Sequence, residues 1–307
     1  MFKRILIANR GEIAVRVIRA CQELGVEAVA IYSDADKNAL HVQLADLTYR
    51  VGPADATESY LNKEAVLEAA IQTKSDAIHP GYGFLSEDAD FAEMVTKAGI
   101  VWIGPMPETL RLVGDKDAAR AAMAPSGIPM SKGSAPLENN EMALKAAAEV
   151  GYPVILKPVS GGGGKGMFVA HSEEDLKNIL QLVDLKKVVH YFEHYIEHSR
   201  HIEAQILADN YGTVLFLGER ECSLQRRNQK LLEESPSVAL TEEMRREIGR
   251  LAIKAAKSVH YSNAGTVEFL LDLADNKFYF MEINPRVQVE HAITEAVTGV
   301  DIVRRQI

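Results

Sequence analysis

The chain has 307 residues, of which 47% are hydrophobic and 25% charged, and its formal net charge is −9. That length suits roughly two domains with a sizeable core, and the composition excludes disorder as the main theme. The acidic balance argues against nucleic acid or an anionic membrane surface as partner, while leaving room for a basic pocket that takes an anionic substrate.

The first third alternates strand and helix patterns. Residues 5–8 read as a buried strand and 12–24 as an amphipathic helix, with Ile13, Val15, Val17, Ile18 and Cys21 available to the core. Strand 27–31, helix 63–74 and short strands at 77–79 and 100–103 follow. Strands alternating with helices predict a parallel sheet covered on both faces, a Rossmann-like N-terminal domain over residues 1–113. Asn9-Arg10-Gly11 stands where a dinucleotide fingerprint would begin, but the G-x-G-x-x-G spacing is absent, so a nicotinamide or flavin role is poorly supported.

Residues 126–140 are rich in Pro, Gly and Ser and read as a linker. Helix 141–150, strand 152–157, a glycine loop, strand 167–170 and helix 173–182 come next. Residues 200–208 and 213–219 alternate like an antiparallel pair. Helix 242–260 and strands 266–272 and 277–284 close the recognisable part. The second and third units are expected over 114–202 and 203–307, giving α/β character overall with α+β in the later part.

Chemistry concentrates in two places. Ser160-Gly161-Gly162-Gly163-Gly164-Lys165-Gly166 follows a strand ending in Lys157. Glycines let backbone N–H groups approach phosphate oxygens and let a loop open and close. No Gly-Lys-Ser/Thr ending is present, so this is not a Walker A loop; with lysines on either side, an anion-binding lid is the better reading.

The second place is a polar stripe. Residues of one parity share a strand face. At odd positions Val267, Phe269, Leu271, Met281, Ile283, Pro285, Val287 and Val289 are apolar. Even positions carry Glu268, Glu282, Asn284, Arg286, Gln288 and Glu290. One natural hairpin register sets Glu268 opposite Glu282. Like charges so placed repel, and a divalent cation between them would reverse the sign. With Asn284 as a third oxygen ligand, the set suits Mg²⁺ or Mn²⁺ carrying nucleotide phosphates.

Other features carry less. His190, His194, His198 and His201 have partly helical spacing, but the segment also reads as a strand that would spread them apart, which disfavours zinc. His79, at a strand end, is expected to be structural or to line a cleft. Cys21 and Cys222 form no metal pair or disulfide framework, which fits a reducing, cytoplasmic compartment. No apolar run is long enough for a membrane span, and Met1-Phe2-Lys3-Arg4 runs directly into the first strand, which leaves no signal or transit segment expected.

Taken together, the motifs resemble those of biotin carboxylases, ATP-grasp enzymes with a mobile glycine-rich lid. The matching runs are Ala8-Asn9-Arg10-Gly11-Glu12-Ile13-Ala14, His79-Pro80-Gly81-Tyr82-Gly83-Phe84-Leu85-Ser86-Glu87, Gly114-Asp115-Lys116, residues 160–167, Arg200-His201-Ile202-Glu203, residues 219–230 and residues 284–291. They cover nearly the whole chain in the family's order. The resemblance implies ATP-dependent carboxylation of carrier-borne biotin by bicarbonate through carboxyphosphate. It implies Lys116 and Lys157 on ATP phosphates, and Gly161, Gly162, Gly163, Gly164, Lys165 and Gly166 as the lid. Glu193, His201, Gln225 and Leu270 would surround adenine and ribose. Glu268 and Glu282, with Asn284, would bind Mg²⁺ or Mn²⁺. Lys230, Arg286, Gln288 and Val289 (through its backbone) would hold bicarbonate, with Glu290 as general base. Cys222 and Lys230 match a pair near the biotin site, where Lys230 is the more plausible actor.

The implied partners are a biotin carboxyl carrier and a carboxyltransferase, as subunits or domains, and a homodimer is compatible with the family. Departures exist. The segment between Ala170 and Glu193 is shorter than usual, and His194 replaces a lysine common near the adenine. The chain ends at Ile307 where the family continues, so a fragment lacking the rest of the third domain and a further arginine at the biotin site is expected. Two other readings remain open: a nucleotide-binding module without turnover, and another ATP-grasp carboxylate–amine ligase. The Gln288-Val289-Glu290-His291 run argues against the latter.

Overall fold

The structure is a computed structural model and describes residues 1–159, 166–227 and 229–307. Three sheets organise it. The first is parallel and contains β1 (Arg4–Ile7), β2 (Glu27–Ser33), β3 (Leu47–Gly52), β4 (Ala77–His79) and β5 (Val101–Trp102), in the order β3-β2-β1-β4-β5. Ile5, Leu6, Ile7, Ala28, Val29, Ala30 and Ile31 are all buried. Such unbroken apolar runs are what a strand covered on both faces requires. The sequence signal missed β3, whose Leu47-Thr48-Tyr49-Arg50 run is half polar because it lies at the sheet edge.

The strand order reverses at β1, between β2 and β4, and open α/β sheets form their crevices outside the strand ends at such a point. The loops after β1 and β4 meet there. Asn9 Nδ2 donates to the carbonyls of Pro80 and Tyr82, at 2.8 and 2.7 Å. Gly81 has φ +64°, and a Cβ there would lie 3.0 Å from Asn9 Nδ2, so both its conformation and its closeness favour glycine. This crevice carries Tyr82 and Glu87 towards the polar stripe.

The second sheet contains β6 (Val154–Pro158), β7 (Phe168–Ala170) and β8 (His190–His194) in the antiparallel order β7-β6-β8. Helices Asn140–Val150 and Glu173–Leu182 cover it through Ala143, Ala147, Leu176 and Leu180. The expected linker is stitched to the structure by bridges from Met130 to Phe280, Gly133 to Glu193 and Leu137 to His190.

The third sheet contains β9 (Ser199–Ala208), β10 (Val214–Arg226), β11 (Gln229–Glu234), β12 (Asn263–Asp272) and β13 (Lys277–Asn284), in the antiparallel order β11-β10-β9-β12-β13. Helix Glu242–Ser258 packs Ile248, Leu251, Ala252 and Ala255 onto one face, against Ile202, Ala204, Val267 and Phe269. The opposite face is polar and holds the site. β9 runs across the expected 202/203 division, and β10 continues past the expected strand end at 219 through Glu219-Arg220-Glu221.

The expected odd-in, even-out parity does not hold along all of β13. The pairing slips between Glu268–Glu282 and Phe269–Phe280, so Met281 is an extra residue. A bulge of one residue exchanges the two faces of a strand. Phe278 and Phe280 therefore enter the core from even positions, and Ile283 from an odd one. The stripe keeps its parity only after the bulge.

Candidate active site

Sheet register builds the site. Glu282 pairs with Glu268, Glu268 with Glu203, and Glu203 with Arg220. Three carboxylates and a guanidinium thus lie in one row across β13, β12, β9 and β10. Adjacent like charges in such a row destabilise a sheet unless cations intervene. Two cations do so here. Lys230, on β11, points its ammonium at Glu203, at Glu268 (3.0 Å) and at Glu290 (2.7 Å). Arg220 is wholly buried and meets Glu203 through Nε and Nη2, at 3.3 and 3.0 Å.

Glu268 is held from four sides. Its Oε1 accepts from Lys230, from Asn284 Nδ2 at 2.7 Å and from Gln288 Nε2 at 3.2 Å, and its Oε2 lies 2.9 Å from His201 Nε2. Burial alone would raise its pKa, but His201 and Lys230 outweigh that and hold the carboxyl well below the usual range. Burial likewise opposes the charge on His201, yet its bond to Glu268 raises its pKa. Glu203 goes the other way: burial and then Glu268 push it up to about 7. The Glu268 charge, held in place by His201 and Lys230, is part of what makes ionising Glu203 costly. Lys230 is held well above its ordinary value: its burial is more than offset by Glu268, Glu203 and Glu290. Glu290 stays ionised because the Lys230 charge outweighs its own burial.

Glu282 is less well compensated. Its nearest cation is Lys116, 3.7 Å away, and its pKa is raised by burial and then by Glu268. A hard divalent cation is what this imbalance suits: oxygen donors on opposed strands and a carboxyl short of positive charge. Arg286 lies beyond Asn284. Its Nε donates to Glu87 of the N-terminal crevice at 2.5 Å, while Nη1 and Nη2 make only long contacts to the Val287 carbonyl and Asn284 Oδ1, at 3.3 and 3.4 Å. The outer edge of its fork is therefore available to an anion.

A second cluster sits on β6 and β8. Lys157 Nζ is 3.0 Å from Glu193 Oε2, which also accepts from Ser131 at 2.8 Å, and Tyr191 donates to Glu193 Oε1 at 2.9 Å. Arg120 stands 3.7 Å away, on the helix that Lys116 opens. That helix links the two clusters, with Lys116 at its start 3.7 Å from Glu282 and Arg120 one turn on beside Glu193.

Most expected residues thus converge. Gln225 Nε2 lies 2.8 Å from His201 Nδ1, and Leu270 pairs with His201 across β12 and β9. Val289 is 61% exposed, so its side chain packs little. Gly166 is described and has φ +75°; Gly161, Gly162, Gly163, Gly164 and Lys165 lie outside the described residues. The histidines do not assemble: His190 contacts the Val188 carbonyl, His194 that of Gly151, and His201 the acids. Cys222 is buried, and burial followed by Glu203 raises its pKa far above the ordinary value, so it is a neutral thiol rather than a nucleophile. His79 is wholly buried, with its Nδ1 accepting from the Gly81 amide at 3.0 Å, a structural role. Sequence reasoning gave no role to Glu203, Arg220 or Glu87. Glu203 and Arg220 share the face of β9 and β10 opposite the core residues Ile202 and Ala204, so alternation alone carried no signal for the first two.

A parallel sheet followed by two antiparallel sheets that enclose lysines and opposed acids is the arrangement of the ATP-grasp class. Residues 115–307 match the family model described as carbamoyl-phosphate synthase L chain, ATP binding domain, and residues 1–110 match that of the biotin carboxylase N-terminal domain. The chain is 52% identical to biotin carboxylase 1 of Bacillus subtilis over 314 aligned positions, covering 100% of this chain and 70% of that protein. The biotin carboxylase of Allochromatium vinosum is also 52% identical, with the same coverage. A crystal structure of Campylobacter jejuni biotin carboxylase in complex with β,γ-ATP superposes with a TM-score of 0.95 at 46% identity, covering all of this chain and 70% of that one. The biotin carboxylase domain dimer of Hydrogenobacter thermophilus 2-oxoglutarate carboxylase, solved with MgADP, ADP and bicarbonate, gives 0.91 at 46% identity, over all of this chain and 69% of that one. The chain belongs to the biotin carboxylase family.

Proposed function

We propose that this chain catalyses the ATP-dependent carboxylation of biotin by bicarbonate, the opening half-reaction of a biotin-dependent carboxylase. The observation that carries the reading is the Lys230–Glu290 pair beside Arg286 and Gln288. Lys230 joins Glu290 to Glu268, which also receives Gln288 and Asn284, and Asn284 in turn meets Arg286, so an ionised carboxylate and several cationic or amide donors gather next to the acids of β12 and β13.

Each side chain then has work to do. Lys116 and Lys157 neutralise ATP phosphates, with residues 161–166 as the closing lid. Glu193, His201, Gln225 and Leu270 hold the nucleoside. Glu268, Glu282 and Asn284 would hold Mg²⁺ or Mn²⁺, which supplies charge neutralisation to the phosphates when bound. Arg286 and Gln288 orient bicarbonate together with Lys230 and the Val289 backbone. Glu290 takes the bicarbonate proton, and a bicarbonate oxygen attacks the γ-phosphorus of ATP, releasing ADP. Carboxyphosphate then loses CO₂, and the released phosphate accepts the ureido N–H proton as biotin captures the CO₂. Lys230 and Arg286 stabilise the charge that builds on the transferred group. Closure of the lid would keep water from the labile intermediate.

The same reading supplies a biotin carboxyl carrier and a carboxyltransferase as partners, a homodimer as assembly and the cytoplasm as location. Among the described residues no helix is long and apolar enough to cross a membrane. A three-part organisation is kept, with the second division falling before β9 so that the strand stays whole.

Glu290→Gln tests the proposal. ADP release that depends on bicarbonate should fall by about 10²–10⁴-fold, the ordinary worth of a general base, while MgATP affinity stays within about twofold. Loss of nucleotide affinity by orders of magnitude would contradict the role given to Glu290.

A further inference from the structure

Arg220 is not among the residues proposed to hold bicarbonate, but it touches one of them, Gln288. It is wholly buried, and its guanidinium meets five residues from four segments. Nη1 donates to Gln205 Oε1 at 2.7 Å and to Thr294 Oγ1 at 3.0 Å. Nη2 donates to Glu203 Oε2 at 3.0 Å, to Thr266 Oγ1 at 3.1 Å and to Gln288 Oε1 at 2.8 Å.

The contact to Gln288 has a directional consequence. A guanidinium has donors and no acceptor. It therefore takes the oxygen of the Gln288 amide and forces the nitrogen to the other side, where Nε2 lies 3.2 Å from Glu268 Oε1 on the stripe face. The reversed amide would set N–H against a buried cation and is disfavoured roughly 10- to 100-fold. A pocket for bicarbonate needs donors, and a freely turning glutamine would offer its oxygen for part of the time. Arg220 also holds Glu203 through Oε2, and the other oxygen of Glu203 receives Lys230. One buried cation thus fixes two neighbours of the anion: the amide directly, and the ammonium through a carboxylate.

We propose that Arg220 is a positioning residue that sets the donor polarity of the bicarbonate pocket by locking the amide orientation of Gln288 and anchoring Glu203 beneath Lys230. This rests on the function proposed above. Arg220 contacts no substrate, so its signature is selective: bicarbonate affinity changes and nucleotide affinity does not.

The test uses the full chain with the variants Arg220→Lys, Thr294→Val and Thr294→Ser. Bicarbonate affinity is read by titration calorimetry in the presence of MgADP, and KM for bicarbonate and for MgATP by ADP release. Arg220→Lys keeps the charge but loses the fork, and should weaken bicarbonate by about tenfold or more with MgATP within about twofold. Thr294→Val removes one of the acceptors that aim the guanidinium and should weaken bicarbonate about two- to threefold. Thr294→Ser retains the hydroxyl and should match the parent chain. Should Arg220→Lys fail to fold, the Thr294 pair decides. Unchanged bicarbonate affinity in Thr294→Val, or equal losses for bicarbonate and MgATP in any folded variant, overturns the inference. A parent chain whose ADP release ignores bicarbonate would instead remove the proposed function, and this inference with it.

Discussion

Replacing Lys230 by methionine isolates the electrostatic centre of the site. The ammonium lies among Glu203, Glu268 and Glu290, and its side chain is only 21% exposed. At an effective dielectric near 20, each contact around 3 Å is worth roughly 5 kcal/mol before desolvation. Removing one partner from a buried pair costs about 3–5 kcal/mol once desolvation is counted. Partial exposure points to the lower end, so Lys230→Met should lose about 3 kcal/mol at about pH 8. The deficit has a defined pH dependence. Glu290 has a depressed pKa in the folded chain. The stability it gains from Lys230 is therefore present above the ordinary carboxylate value and lost as pH falls through the depressed one. The stability gap between the two proteins should accordingly close towards acid pH. Urea unfolding followed by circular dichroism, at several pH values, measures it. Equal midpoints at about pH 8, or a gap that widens on acidification, would refute the reasoning.

Two further substitutions separate the clusters. Lys157→Ala leaves Glu193 with Arg120 and should raise KM for MgATP by about tenfold, with bicarbonate KM within about twofold; a change confined to bicarbonate would misplace the lysine. Glu282→Gln removes one of two opposed carboxylates, so the metal-free protein should gain a few tenths of a kcal/mol in stability. The same variant should need about tenfold more Mg²⁺ for half-maximal ADP release; a destabilised apo protein with an unchanged Mg²⁺ requirement would count against the opposed-acid site.

Local pattern carried much of this account. The unbroken apolar runs that became β1, β2 and β4 are dictated by burial on both sheet faces, and the parallel sheet followed from their alternation with helices. The opposition of Glu268 and Glu282 was legible because a hairpin confines register to few choices, and it is the register observed. Three features were not legible, each for a physical reason. The bulge at Met281 is a local insertion that strict alternation conceals, and alternation run back from Glu282 would put Phe278 and Phe280 on the polar face instead of in the core. Glu203 and Arg220 become neighbours only when β9 and β10 pair, and a charged pair on a strand reads the same whether solvated or buried. The Glu87–Arg286 contact spans 199 positions and two sheets, and no periodicity encodes it.

The central claim is that a bicarbonate oxygen attacks the γ-phosphorus of ATP. It is tested most directly by supplying ¹⁸O-labelled bicarbonate with MgATP and biotin and analysing the released phosphate by mass spectrometry. Attack by bicarbonate leaves the bridging oxygen on phosphate when carboxyphosphate breaks down, so one labelled oxygen per phosphate is predicted. Phosphate that carries oxygen from solvent water alone would mean simple ATP hydrolysis and would contradict the account.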